Sequence, residues 1–496
     1  MLRHGKRKSL RLIGAAVLAA TLGAGPCGLT AQQPLPNAPQ VNLPASIGQD
    51  PAPAAQMPAA TPQAPSTTNP TQGNVQNPLT KPEAPAGVNG PQLTVDQAEQ
   101  MALRNNPNIS VARLLALAQG QVTRETRSVE MPQVAADLDA VGSHEGSRIT
   151  GAGTLNSPRV LNKAAAGLSI SQLITDFGRT HNLVKSAQSS ARAEFENEKA
   201  TELDIRLAVD QAFYQALTSQ AVLRVAQQTL AQRQATGDQV SALAKSKIKS
   251  DLDMSFANVQ VSQANLLLLD AENSEAAAMA ALNAVLGSEQ DQQYVLVDET
   301  HGNPPPAPSD PEALVQQAFQ QRPDLASLND RYQAAKQYAT AERDLWFPTI
   351  SAMTMGGSTP VRDDLIQSSW YFGAGASINV PVFNGFLYNA RDKEAKFRAS
   401  AAQEQVRNLR AIVARDVRTA VLNAETAFQR IGVTQGELDQ ANLALDLAQA
   451  RYKIGLSSIV ELTQAQLAQT QAQIDNTNAL YSYQTALAEV RYQTGQ

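Results

Sequence analysis

From Gln92 to its end the chain is written twice, and this duplication constrains its fold more than any other feature. "ALRNNPNI" at 102–109 matches "AFQQRPDL" at 318–325, so that Pro107 answers Pro323, and Pro132 of "EMPQV" answers Pro348 of "WFPTI" at the same offset of 216 residues. Further on the offset falls to 208: "TDF" at 175–177 meets "FNG" at 383–385, "LDM" at 252–254 meets "VEL" at 460–462, and Gly287 meets Gly495. A unit of roughly 200 residues copied once must fold as two similar halves. These are segments 92–302 and 303–496.

Each half has the same order of patterns. A short helical piece ends near Pro107 or Pro323, a helix runs on to Pro132 or Pro348, and two stretches of period two follow. In "SWYFGAGASINV" at 369–380, Trp370, Phe372, Ala374, Ala376 and Ile378 alternate with Tyr371, Gly373, Gly375, Ser377 and Asn379. "PQVAADLDAV" at 132–141 does the same, and the partners "AAGLSISQL" and "PTISAMTM" are weaker but compatible. Alternation of this kind marks strands with one apolar face, expected at about 132–142, 165–174, 348–356 and 369–380.

A long helical stretch comes next, from about 177 to 246 and from about 385 to 453. A turn and a final helix to Gly287 or Gly495 complete each half. In the last helix Val460, Leu467, Ile474 and Tyr481 recur every seven residues, as do Ala465, Ala472, Ala479 and Ala486. The first copy sets Leu252, Val259 and Leu266 against Ala257, Ala264, Ala271 and Ala278. The two stripes lie roughly 140° apart on a helix. Such a helix has a neighbour on each side, as a stave in a hollow cylinder would; a helix inside a solid bundle is the alternative. Intervening Gln, Asn and Thr favour a wet third face. With only 5% aromatic residues, helices whose interfaces tolerate Ala suit the chain better than a globular core.

The N-terminus, "MLRHGKRKSLRLIGAAVLAATLGAGPCGLTA", has a basic start, an apolar run and a small-residue zone, the pattern of a secretory signal peptide over 1–31. Its loss removes five cations and takes the formal charge from -5 to -10, a balance that disfavours nucleic acid as a partner. Cys27, the single cysteine, is either a lipidated N-terminus or a discarded signal residue. Pro26 before it opposes lipoprotein processing and favours the second. Residues 32–91 are rich in Pro, Ala and Gln with few large apolar side chains, which reads as a disordered linker. No later apolar run approaches the ~20 residues of a spanning helix, so any membrane passage must use strands closed into a barrel. The strands also fit a hairpin on a soluble core, but the signal peptide and the lack of a large core favour a barrel wall. Four strands cannot close a barrel, since even small ones use about eight, and the chain must contribute part of an oligomeric one.

No catalytic constellation emerges. "GAG" at 151–153 and 373–375 lacks the third glycine of a dinucleotide loop, and no Walker-type or GxSxG sequence occurs. His144, His181 and His301 stand apart, so neither a metal site nor a cofactor is expected. The informative residues lie at the two turns between long helices. Gly455 suits a helix stop, Ser457 or Ser458 an N-cap, and Asp251, Asp253 and Glu461 fall in first turns, where carboxylates suit the helix dipole. These acids either cap helices or, if symmetry gathers copies around an axis, form a ring at an entrance.

The chain resembles the TolC family of outer-membrane efflux proteins over nearly all of 92–496. The resemblance rests on "LTVDQAEQMALRNNPNI" at 93–109, "LSISQLITDFGR" at 168–179, "TELDIRLAVDQAFYQAL" at 201–217, "INVPVFNGF" at 378–386 and "ARYKIGLSSIVELTQAQ" at 450–466. It implies a mixed α and β fold: a homotrimer forming a 12-stranded barrel, four strands per chain, continued by long antiparallel coiled-coil helices into a periplasmic tunnel. It also implies helical tips docked to a periplasmic adaptor (membrane fusion) protein attached to an inner-membrane pump. The docking residues would be Gly455, Leu456, Ser457 and Ser458, with Lys247, Ile248, Lys249 and Ser250 in the first copy. Glu461 matches an acidic gate position of some members. Gln464 stands where a further acid could follow, and Lys247-Ile248 replaces the usual Gly-Leu turn. The expected function is a passive exit duct in the bacterial outer membrane, not an enzyme, with Trp370, Phe372 and Ile378 facing lipid. The alternative is a soluble periplasmic coiled-coil scaffold without a pore.

Overall fold

The computed structural model describes residues 91–142, 163–290, 292–298, 304–361 and 367–496, all within the compact unit Glu83–Gln496. The expected signal peptide, nearly all of the expected linker, Cys27, His144, His301 and the first "GAG" lie outside the described residues. The first half runs β1 (Gln92–Leu93), α1 (Val95–Asn105), α2 (Pro107–Ser128), β2 (Gln133–Val141), β3 (Lys163–Thr175), α3 (Arg179–Lys245), α4 (Asp251–Val285) and β4 (Val295–Leu296). The second runs α5 (Pro311–Gln321), α6 (Pro323–Arg343), a 3-10 turn at Asp344–Trp346, β5 (Thr349–Val361), β6 (Trp370–Asn379), α7 (Leu387–Lys453) and α8 (Ile459–Thr494).

Local chemistry sets the boundaries. Thr94 and Gln97 close a capping box on α1. Pro107 and Pro323 each open a helix at the first turn, where the missing N–H costs nothing. The strand-to-helix joints are copies with one exchange. "DFGR" and "NGFL" each pass through two successive residues of positive φ, Phe177 (55°) and Gly178 (107°) in the first, Gly385 (64°) and Phe386 (67°) in the second. Each joint thus holds one phenylalanine in a region that glycine occupies more cheaply.

α3 and α7 are 67 residues each, about 100 Å of helix at 1.5 Å per residue. Near the sheet the helices lie side by side as α2, α3, α6 and α7; at the other end α4 packs on α3, and α8 packs on α7 and α3. Halfway along, α1, the β1–β4 pair and parts of α3 and α4 bury Phe213, Leu217, Leu282, Leu286 and Tyr294 in the largest apolar cluster. Tyr481 of α8 closes it and donates its hydroxyl to Asp298 at 2.7 Å.

The heptad stripes have different fates. Ala257, Ala264, Ala271 and Ala278 of α4 are all buried, whereas Leu252, Val259 and Leu266 are exposed. In α8, Ala472 and Ala479 are buried and Val460 and Leu467 exposed. Alanine lets helix axes approach within one chain, while Leu252, Val259, Leu266, Val460 and Leu467 line surfaces that the chain itself leaves open; farther along the α8 stripe Ile474 is half-buried and Tyr481 turns into the central cluster.

Candidate functional site

The four long strands form one antiparallel sheet in the order β2-β3-β5-β6. Residues directly opposite in an antiparallel pair share a face, so the register fixes what each face carries. Val134, Ala136 and Leu138 pair with Ile170, Leu168 and Ala166; Leu168 and Ile170 pair with Gly356 and Thr354; and Gly356, Ala352 and Ile350 pair with Phe372, Ala376 and Ile378. One face therefore carries most of the apolar side chains of all four strands, interrupted by Gln172, Thr354 and Ser358. Trp370 and Phe372 are 69% and 71% exposed on it, and Ile378 and Leu138 are exposed as well.

The other face is made of small and polar residues with Leu173, Met353 and Met355 among them. Ser169 donates to Asp137 at 3.0 Å, and the hydroxyls of Ser351 and Ser377 lie 2.9 Å apart. Two register shifts bend the sheet, one opposite Ala164–Ala166 where β5 carries Thr359 and Pro360, the other at Leu173–Thr175 of β3. β2 and β6 are its edges, each with one side unpaired in the chain.

Aromatic rings gather where strands become helices. Phe177 and Phe347 lie 6.0 Å apart, Trp346 meets Tyr388 edge-on at 5.8 Å, and Phe383 meets Phe386 edge-on at 5.7 Å. Sequence alternation missed this belt because its members sit outside the strands. Aromatic girdles of this kind border lipid-facing barrel walls. Among the described residues no helix is long and apolar enough to cross a membrane.

At the far end of the helices the two turns adopt one geometry. The N–H groups of Gly455 and Leu456 reach the carbonyls of Tyr452 and Arg451 at 3.1 and 2.9 Å; those of Lys247 and Ile248 reach Ala244 and Leu243, both at 2.9 Å. Both are Schellman closures with a left-handed residue after the cap, φ 78° at Gly455 and 57° at Lys247. The Lys-Ile departure seen in the sequence therefore leaves the turn's shape intact.

Ser250 and Ser458 follow as N-caps. Asp253 N–H donates to Ser250 Oγ at 3.1 Å, and the Asp253 carboxylate accepts the Ser250 N–H at 3.2 Å, a reciprocal box. Glu461 N–H donates to Ser458 Oγ at 3.4 Å, but its side chain instead lies 3.6 Å from Arg451. Asp251 is exposed in the first turn of α4.

The tips are joined mainly by residues that the sequence did not single out, with Ala257 of the alanine stripe among them. Val240, Ala257, Leu445, Ala448, Tyr452, Ile459 and Leu462 form one buried cluster drawn from α3, α4, α7 and α8. Lys249 Nζ sits 4.2 Å from the centre of the Tyr452 ring, linking the first turn to the second copy. Burial, and then the Asp253 charge, push the Tyr452 hydroxyl above its ordinary pKa. Two turns up, Arg233 of α3 is buried against Gln466 of α8 and donates to its Oε1. Burial lowers the Arg233 pKa to about 10. Outside this core Ile248, Leu252, Ile454 and Leu456 are exposed at the extreme tip, the composition of a surface that a partner covers. Gly455 and Ser458 are exposed, while Ser457 and Lys249 are half-buried. Among the described residues no group of three or more His, Cys, Asp or Glu is placed to hold a metal ion.

The family described as "Outer membrane efflux protein" matches residues 98–288 and 314–496. The toluene efflux pump outer membrane protein TtgC of Pseudomonas putida is 25% identical over 423 residues, covering 82% of this chain and 84% of that protein. The outer membrane protein TolC of Escherichia coli is 23% identical over 416 residues, covering 80% and 78%. Among solved structures, CusC superposes with a TM-score of 0.71 at 21% identity, covering 81% of this chain and 92% of that one.

Proposed function

The chain belongs to the outer membrane efflux protein family, and from that premise we propose that three copies form the outer-membrane exit duct of a tripartite efflux or secretion system. The observation that carries this reading is the sheet: one mainly apolar face, one face of small and polar residues with few apolar ones, and two unpaired edges, attached to helices about 100 Å long. Long unpaired edges are a liability unless covered. Pairing β6 of one copy with β2 of the next would satisfy every edge, and three copies would give a barrel of about twelve strands, within the range that closes. Trp370, Phe372 and Ile378 then face lipid, and the polar face lines water.

The helices extend this wall into the periplasm as a conduit. The exposed Ile248, Ile454 and Leu456 with the capped turns form the docking surface for a periplasmic adaptor and, through it, an inner-membrane pump. Asp251, Asp253 and Glu461 of each copy would meet around the axis as an acidic entrance. The duct performs no chemistry and needs no cofactor; its partners supply the energy. A pore-free scaffold has no use for an apolar sheet face and an aromatic belt.

Single-channel conductance in a planar bilayer tests the reading. Reproducible steps with cation preference, weakened in Glu461→Ala and Asp253→Ala, are expected. Folded protein that never inserts would overturn the channel, and steps indifferent to both substitutions would reduce the acids to capping residues.

A further inference from the structure

Between α6 and α7, directly below the sheet, lies a groove of ≈ 450 Å³ lined by Tyr332, Lys336, Thr340 and Arg343 from α6 and by Lys396 and Ser400 from α7, among others. Lys336, Thr340 and Arg343 follow one another on one face of α6, as Lys396 and Ser400 do on α7. The acids nearby stand behind the cations. Asp344, almost fully buried, holds Arg343 at 3.2 Å, and Asp392 holds Lys396 at 2.8 Å, while the side chains of both cations remain 60% exposed. Lys336 has no carboxylate partner among the described residues. Each cation therefore keeps N–H donors directed into the groove.

The groove opens on the same side of the wall as the apolar strand face. Thr359 N–H donates to Ser369 O, so residues on the polar face of β5 turn their backbone groups toward β6 and those on the apolar face toward β3. For L-residues in a rising strand viewed with side chains forward, these groups point right. Seen with Trp370 and Phe372 forward and the helices below, β3 is thus right of β5 and β6 left. α6 rises toward the sheet as a right-handed helix, with α3 held by Ser186 to the Ala334 carbonyl and by Arg192 to Asp330. The Lys336–Arg343 face looks at the same viewer when α3 is right and α7 left. Only the turn 344–348, with Trp346 in the aromatic belt, separates Arg343 from β5.

We propose that this groove binds the phosphate headgroup of an anionic phospholipid in the leaflet that meets the helices. Phosphate complements three cations lining the groove with the Tyr332 and Ser400 hydroxyls beside them, the Thr340 hydroxyl being donated to the Lys336 carbonyl at 3.1 Å, and the lipid's acyl chains would continue upward past Trp346 along the apolar face. The inference rests on the outer-membrane placement above.

Native mass spectrometry of the detergent-purified full chain, with phosphatidylglycerol and phosphatidylethanolamine added in equal amounts, tests it beside bilayer conductance of the same sample. Phosphatidylglycerol retention should exceed that of phosphatidylethanolamine by about tenfold, a preference of one decade in affinity. K336Q/K396Q should abolish the preference and leave conductance unchanged. Equal retention of the two lipids, an unaltered preference in the double variant, or full competition by millimolar inorganic phosphate would each overturn it. Failure to conduct with the lipid preference intact would instead overturn the duct.

Discussion

The phenol of Tyr371 lies across Gly167, two strands away on the polar face of the sheet. Tyr371 pairs with Gly357, and Gly357 pairs with Gly167, so one ring covers two consecutive glycines. A Cβ on Gly167 would collide with the Tyr371 hydroxyl oxygen, and one on Gly357 would strike the Ala166 carbonyl oxygen and come within 2.6 Å of the Tyr371 hydroxyl. Gly167→Ala and Gly357→Ala should each destabilise, by about 1–3 kcal/mol, as overpacking does. The obstructing atom at Gly167 is a side-chain tip, whereas at Gly357 it is backbone. Thermal denaturation should therefore show Tyr371→Ala rescuing Gly167→Ala but not Gly357→Ala. Additive losses in both cycles would mean that the ring does not lie there.

Lys247 holds a left-handed backbone that its copy assigns to Gly455. A side chain costs about 1–2 kcal/mol in that region. Lys247→Gly should raise stability, by less than this because glycine gains entropy when unfolded, and Gly455→Lys should lower it. Denaturation midpoints moving in the same direction for both would contradict the equivalence of the two turns.

Two of the three tip acids, Asp253 and Glu461, should separate in stability. Asp253 closes a capping box, and Asp253→Ala should cost about 1 kcal/mol. Glu461 makes only a long pair with a half-exposed Arg451, worth at most about 0.5 kcal/mol. Unfolding of the tip, followed by hydrogen exchange at α4 and α8, should reveal the difference; equal losses would show that Glu461 caps as well.

Asp210 of α3 is 4% exposed and meets Arg491 of α8 at 2.9 Å. Burial raises its pKa to about 7, with Arg491 opposing and Glu99 and Asp96 of α1 adding to the rise. Its unfolded value is about 3.9. Because the folded pKa is the higher, this group's contribution is full below pH 4 and is lost as pH rises toward 7. Wild-type protein should thus lose more stability between pH 5 and pH 8 than Asp210→Asn. Parallel melting curves for the two would remove Asp210 from the account.

Sequence made some of this architecture legible and hid the rest for physical reasons. The Trp370–Ile378 alternation is plain because large apolar residues occupy one face of β6. The upper part of β5, Gly356 to Val361, has no such marker, and its bulge at Thr359 and Pro360 depends on pairing with β3. Nothing about lysine announces a positive φ, and only the copy, Gly455, points to one at Lys247. The Lys249–Tyr452 contact joins residues from different halves, which no local pattern encodes. Heptad spacing marked two seams on α4 but could not say which one the chain fills itself.

That division of seams supports a last prediction about assembly. Ala264 is 4% exposed and Leu266, two residues on, is 62% exposed. Ala264→Leu pushes a larger side chain into the closed α3–α4 interface and should destabilise the chain by about 1–3 kcal/mol. Leu266→Asp changes a side chain that is mostly exposed on α4, so its effect on the fold should stay within about 0.5 kcal/mol. If leucine seams join neighbouring copies in the tunnel, a buried unpaired carboxylate at each subunit boundary opposes association. Circular dichroism should then report native helix content for Leu266→Asp, while native mass spectrometry finds monomer in place of the trimer proposed for the wild type. An intact Leu266→Asp trimer would place the subunit seam elsewhere on α4 and leave that leucine stripe facing water.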